Sequence, residues 1–167
     1  MAEAFSPDTL AADKADRYRE LLAEIRSVLQ GETNRVARMA TVASMLAAAF
    51  DTFFWTGFYV VDPEAVDELV VGPYQGTLGC LRIAFGRGVC GAVARDRQTL
   101  IVDDVEAFPG HIACDSRSRS EIVVPVFDPA GALIAVLDVD SDQPAAFDLV
   151  DREGLEAIIA SAFADPA

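Results

Sequence analysis

The sequence predicts an α+β fold, an antiparallel sheet with helices packed on one face and a loop-roofed pocket on the other. Three observations predict it. The chain opens with two stretches of helical apolar spacing, about residues 8–50, and closes with a third, about 148–163. Between them, from about 53 to 141, short β-branched and aromatic runs alternate with turn residues. The links between most runs are turn-sized, which makes neighbouring strands antiparallel, because a parallel crossover needs a dozen or more residues. The whole span, 1–167, reads as one domain, and 167 residues at 52% hydrophobic suit a single sizeable core.

Ser6-Pro7-Asp8 supplies an N-cap, a first-turn proline and a first-turn acid. The helix that follows carries Leu10, Tyr18, Leu21, Leu22, Ile25 and Leu29, mostly at helical spacing, and stops before Gly31. A second helix spans about Asn34 to Phe50, with Val36, Met39, Val42, Met45 and Leu46 as its apolar side. At Phe53 the period changes, and Phe53 to Val61 reads as a strand. Asp62-Pro63-Glu64 begins a turn, Leu69 to Gln75 is a second strand, and residues around Cys80 to Ala84 make a third. The glycine-rich stretch Gly86 to Gly91 leads into a short helix near Cys90 to Arg95, and Thr99 to Val102 is a short strand. Asp103 to Ser120 has no clear period, and a loop of that length in a compact domain is usually functional or disordered. Glu121 to Phe127 and Leu133 to Asp140 are two more strands around the turn Asp128-Pro129-Ala130-Gly131. Asp148 caps the last helix, which runs through about Phe163. The terminal helices would cover one face of the sheet. The long loop and the short internal helix are free to roof the other.

Composition narrows the function. With 27 acidic against 13 basic residues the net charge is −14, a field that repels nucleic-acid backbones and anionic membranes. Either the charge serves solubility, or it includes a pocket that welcomes an ammonium group. No run approaches the ~20 apolar residues that cross a bilayer, and no basic segment leads into an apolar run. A cytoplasmic location is therefore expected. The three cysteines, Cys80, Cys90 and Cys114, are an odd count in a reducing compartment, which argues against a structural disulfide framework.

Strand alternation sorts the candidate site residues. On the last strand Ala135, Leu137 and Val139 make an apolar face suited to the helices, whereas Ile134, Val136, Asp138 and Asp140 make the other. Two carboxylates on that face are either solvated at the strand end or paired with a cationic partner. On the first strand Phe53, Trp55, Gly57, Tyr59 and Val61 share a side, and the glycine between two aromatics is expected to leave a hollow for a methyl or thioether group. Glu121 opens its strand seven positions after Cys114. His111, the only histidine, stands three positions before Cys114, either as a base that raises the thiolate fraction or as a brace for the loop.

Six segments together resemble the free methionine-R-sulfoxide reductases, enzymes built on a GAF domain. They are Trp55-Thr56-Gly57-Phe58-Tyr59, Pro73-Tyr74-Gln75-Gly76, Gly88-Val89-Cys90-Gly91, Phe108 to Asp115, Ser120 to Pro125, and Leu137-Asp138-Val139-Asp140-Ser141. The similarity runs from about residue 35 to 160. The resemblance implies a GAF-like fold and a place in oxidative-stress defence. It makes Cys114 the catalytic cysteine, Cys80 the main resolving cysteine and Cys90 a third thiol available for exchange. It makes Trp55 and Tyr59 pocket aromatics, and Glu121, Asp138 and Asp140 substrate-binding carboxylates. The approach to Cys80, Thr77-Leu78-Gly79, departs from the more apolar, alanine-containing segment expected of the family.

The implied reaction is thiol-dependent reduction of free L-methionine-(R)-S-oxide, with the epimer taken from the resemblance alone. It passes through a Cys114 sulfenic acid and an intramolecular disulfide, and needs no bound cofactor or metal. Thioredoxin, recharged by NADPH through thioredoxin reductase, would reduce the disulfide. Glu121 is the candidate acid for the sulfoxide oxygen, with Asp138 and Asp140 as rivals. The N-terminal helices offer a surface for a homodimer. Three other readings compete: a non-catalytic GAF sensor of a small molecule, a zinc site on Cys80, Cys90, His111 and Cys114, and a cysteine hydrolase.

Overall fold

The structure, a computed structural model, describes residues 7–112 and 114–164, with side chains from Asp13 onward. The predicted cap at Ser6 and the side chain of Leu10 lie outside the described residues. Helices α1 (Pro7–Val28) and α2 (Arg35–Ala49) come first. Strands β1 (Trp55–Asp62), β2 (Ala65–Gln75) and β3 (Arg82–Ala84) precede the short helix α3 (Gly88–Asp96). Then come β4 (Leu100–Val102), a 3-10 turn (Val105–Ala107), β5 (Ser120–Phe127), β6 (Leu133–Ser141) and helix α4 (Leu149–Ala162). The strands form one six-stranded sheet in the order β3-β2-β1-β6-β5-β4, with every pair antiparallel.

Two apolar layers flank the sheet. On one side Phe58, Ile122, Val124, Ala135, Leu137 and Val139 pack against Leu21 and Ile25 of α1, Met39, Val42 and Leu46 of α2, and Leu155, Ile158 and Ile159 of α4. On the other side Trp55, Tyr59, Val123 and Val136 pack against Val89, Cys90 and Val93 of α3. This is the α+β arrangement that the sequence predicts, with α3 and the 103–119 segment over the face opposite the long helices. Local signals set the helix ends. The Asn34 side chain accepts a hydrogen bond from the backbone N–H of Ala37 at the start of α2. Asp148 and Asp151 form a capping box on α4, where Asp151 also accepts hydrogen bonds from the Tyr18 hydroxyl and Lys14 Nζ. That buried carboxylate ties the first helix to the last.

Four sequence expectations need correction. The first strand begins at Trp55, so Phe53 turns into the helix-side core with Phe58 and does not share a side with Trp55. Ile134 also packs on the helix side, because the register shifts between Val126 and Phe127, opposite Leu133, and breaks the alternation there. Val36 is exposed, since it sits in the first turn of α2 on the side away from the sheet. Cys80 precedes β3 and lies in an irregular segment, while β2 starts four residues earlier than its apolar run, at Ala65.

Candidate active site

Register builds the site. Cross-strand pairing puts Trp55 of β1 beside Asp140 of β6, and Asp140 beside Glu121 of β5. The adjacent row runs Tyr74, Gly57, Asp138, Val123 across β2, β1, β6 and β5. Paired residues face the same side of an antiparallel sheet, so the aromatics and all three acids share the face that α3 roofs.

Gly57 does not leave a hollow. A Cβ built there would lie 2.2 Å from Tyr74 Cβ and 2.9 Å from Trp55 Cη2. The Trp55 indole leans over the glycine and stacks between Tyr59 and Tyr74, with ring centroids 5.6 and 5.1 Å away. The glycine therefore lets a continuous aromatic wall form. Gly79 plays the matching part on the approach to Cys80. A Cβ there would meet Tyr59 Oη at 2.9 Å and Trp55 Cζ2 at 3.0 Å, so a residue without a side chain lets this segment lie against the wall. Trp55 Nε1 donates to the Thr77 carbonyl at 2.9 Å, and Thr77 Oγ1 donates to Asp115 Oδ2 at 2.7 Å. The Arg117 backbone N–H and guanidinium hold the same Asp115 carboxylate and keep its pKa well below the usual range. These links fasten the two cysteine-bearing segments together, and Cys80 and Cys114 are joined in a disulfide with their Cα atoms 5.4 Å apart.

The resulting cavity has an empty volume of about 540 Å³, part of it open to solvent. Its lining includes Trp55, Tyr59, Cys90, Cys114, Glu121, Asp138 and Asp140. The structure thus gathers seven of the eight predicted site residues on one cavity wall and ties the eighth, Cys80, to its mouth through Cys114. Cys114 is exposed, while Cys90, Glu121 and Asp138 are only 4, 5 and 6% exposed.

Burial governs the protonation of the acids. It raises Glu121 and Asp138 well above the usual carboxylate range, and the charges of their neighbours add to the rise. Asp140 is pushed up to about 6 by burial, against the opposing hydrogen bond that it accepts from the Ser118 hydroxyl. Cys90 is raised by burial and then by the surrounding carboxylates, which keeps it a thiol. Among the described residues the one basic group within 4.0 Å of these acids is His111, whose Nε2 lies 4.0 Å from Glu121 Oε2. Burial lowers the imidazole pKa, so it stands there neutral. An arrangement of this kind offers a protonated acid beside an aromatic wall, one unpaired acid oxygen, and a disulfide-linked cysteine pair at the entrance.

The zinc set of Cys80, Cys90, His111 and Cys114 is not assembled. Two of its thiols are consumed by the disulfide, and Cys90 meets Glu121 and Asp138 instead. Sequence reasoning missed Tyr74, Asp115 and Ser118. Tyr74 stands inside one of the segments that carry the family resemblance, but only the β1–β2 register places it against Trp55. Asp115 and Ser118 lie in the aperiodic loop, where no spacing rule assigns a partner.

The GAF domain family profile matches residues 14–164. The chain is 50% identical over 146 residues to GAF domain-containing protein A of Dictyostelium discoideum, which covers 87% of this chain and 90% of that protein. It is 37% identical over 150 residues to a free methionine-R-sulfoxide reductase of Saccharomyces cerevisiae, covering 87% and 83% of the two chains. Among solved structures it resembles the free methionine-R-sulfoxide reductase of Neisseria meningitidis in complex with its substrate. The TM-score is 0.86 at 49% identity, over 96% of this chain and 92% of that one.

Proposed function

Because the chain belongs to the free methionine-R-sulfoxide reductase family of GAF domains, we propose that it reduces free L-methionine-(R)-S-oxide to L-methionine through Cys114. The observation that supports this most is the Cys80–Cys114 disulfide at the mouth of a cavity walled by aromatics and floored by acids. A sensor would have no use for that thiol pair.

In the reduced protein the Cys114 thiolate attacks the sulfoxide sulfur. Oxide is a poor leaving group, so the oxygen must take a proton. Glu121 supplies it, since burial keeps its carboxyl protonated near neutral pH. With a second proton from solvent the oxygen leaves as water, giving a Cys114–methionine sulfonium. A water then attacks the Cys114 sulfur, the bond to the methionine sulfur breaks, and methionine departs with Cys114 left as a sulfenic acid. The Cys80 thiol condenses with it, one water leaves, and the disulfide forms. Two electrons from a dithiol such as thioredoxin, itself reduced with NADPH through thioredoxin reductase, restore both thiols. Asp140, with a pKa of about 6, supplies the charge for the substrate ammonium, and Asp138 Oδ1 accepts one of its hydrogen bonds, which selects the free amino acid, because methionine within a peptide carries no such charge. The Trp55–Tyr59 wall holds the thioether and its methyl. Cys90, a buried thiol outside the disulfide, is a third thiol available for exchange.

A single-turnover experiment tests the assignment. Reduced protein without thioredoxin should release one methionine per chain and acquire the Cys80–Cys114 disulfide. Cys80→Ser should still release one methionine and leave a sulfenic acid that a dimedone probe captures. Cys114→Ser should release none. Methionine release by Cys114→Ser would overturn the assignment.

A further inference from the structure

The floor of the cavity brings together three acidic groups from three different elements. Cys90 Sγ of α3, a carboxylate oxygen of Glu121 of β5 and one of Asp138 of β6 all lie within 4.8 Å of one another. Cys90 Sγ is 3.9 Å from Glu121 Oε1. All three residues are buried, and Asp138 Oδ1 has no hydrogen-bond partner although it is shielded from water. An unpaired buried carboxylate oxygen is costly, so its persistence points to a partner that the protein itself does not supply. His111 Nε2 lies 4.0 Å from the other Glu121 oxygen, outside the group of three.

We propose that this floor is a binding site for a soft divalent cation of the zinc class, held by Cys90 Sγ, Glu121 and Asp138. One sulfur and two carboxylates are ligands that zinc accepts, at ~2.3 Å for sulfur and ~2.0–2.2 Å for oxygen, and three protein ligands leave a fourth position for water. Tetrahedral geometry at those lengths puts ligand atoms roughly 3.3–3.7 Å apart, so the 3.9 Å between Cys90 Sγ and Glu121 Oε1, and separations within 4.8 Å for the whole group, close by side-chain adjustments of about 1 Å. Magnesium and calcium prefer all-oxygen shells with more ligands, and the thiol disfavours them. Binding is an exchange of cation for protons: the Cys90 S–H bond and the carboxyl O–H bonds of the ligating acids break, metal–sulfur and metal–oxygen bonds form, and the protons pass to solvent with no change of oxidation state. The cation occupies Asp138, proposed above to receive the substrate ammonium, and Glu121, the proposed proton donor, so it competes with methionine sulfoxide. That consequence rests on the proposed function, whereas the metal site does not.

Cobalt(II) titration of the disulfide form tests the site, because there Cys80 and Cys114 are tied and Cys90 is the only thiol left. One equivalent should bind with a thiolate-to-cobalt charge-transfer band in the near ultraviolet, and zinc should erase it while excess magnesium does not. Cys90→Ser should abolish the band and weaken zinc binding by about 100-fold or more, since losing even a group that only supports a ligand costs about 10–100-fold. Glu121→Gln, which keeps the thiol, should also weaken zinc while retaining the band at higher cobalt. Absence of the band in the disulfide form would overturn the proposal. So would zinc affinity unchanged in Cys90→Ser or in Glu121→Gln, which would locate the cation on surface acids. Free methionine sulfoxide should displace the cobalt. A Cys90-dependent band that sulfoxide cannot displace would leave the metal site standing and refute the ammonium reading of the carboxylates.

Discussion

Asp140→Asn should make the protein more stable at neutral pH, although it damages the site. The folded-state pKa of Asp140 is about 6 against an ordinary 3.8, with burial as the largest cause. A carboxyl raised on folding binds more protons in the native than in the unfolded state between those two values. Stability therefore falls as pH climbs from roughly 4 to roughly 6, and the loss persists above that window. A rise of about two pKa units corresponds to about 3 kcal/mol. Asparagine keeps the shape, and its oxygen still accepts from the Ser118 hydroxyl. It also removes a charge that raises Glu121 and Asp138. Urea unfolding of the disulfide-intact protein is the assay. With a slope of about 2 kcal/mol per molar urea, the midpoint at pH ~7.5 should rise by roughly 1.5 M, and the variant should match the parent near pH ~4. Substrate affinity should fall by about tenfold or more, the size expected for losing one charged hydrogen bond. A variant no more stable than the parent at pH ~7.5, with the parent's pH slope unchanged, would refute the claim that burial of this acid costs the fold.

Other perturbations separate the site from its scaffold. Gly57→Ala puts a methyl 2.2 Å from Tyr74 Cβ, about 1.6 Å inside ordinary contact, and should cost about 1–3 kcal/mol with a loss of near-ultraviolet circular dichroism from the Trp55 stack. An unchanged spectrum and stability would contradict the packing. Asp151→Ala removes the acceptor of the Tyr18 hydroxyl, of Lys14 and of the Asp148 backbone N–H. It should cost about 3 kcal/mol, or about 6–12 °C in Tm by thermal melting, with turnover per folded molecule preserved, because α4 lies across the sheet from the cavity. A loss of turnover without a loss of Tm would overturn that division of labour.

Much of this architecture is legible from period and turn chemistry. Alternation on β6 places Leu137 against the helices and Asp138 in the cavity, and the Asp148 cap announces α4. The errors share a cause, which is that faces follow register and register is non-local. Phe53 stands two residues before the strand begins, and Ile134 lies beside a bulge, so neither obeys the alternation around it. A glycine between Trp55 and Tyr59 looks like a hollow until β2 brings Tyr74 alongside. The meeting of Cys90 with Glu121 and Asp138 joins a helix to two strands, and no spacing in the chain encodes it. The pairing of Cys80 with Cys114 came from the family resemblance, since the 34-residue separation has no local signature.

The central claim is the reaction, and it is tested most directly by NADPH consumption in the presence of thioredoxin, thioredoxin reductase and each separated epimer of free methionine sulfoxide. Turnover is expected with the R-epimer alone. No turnover with either epimer, from protein whose thiols titrate as fully reduced, would contradict the account and return the fold to a ligand-sensing role.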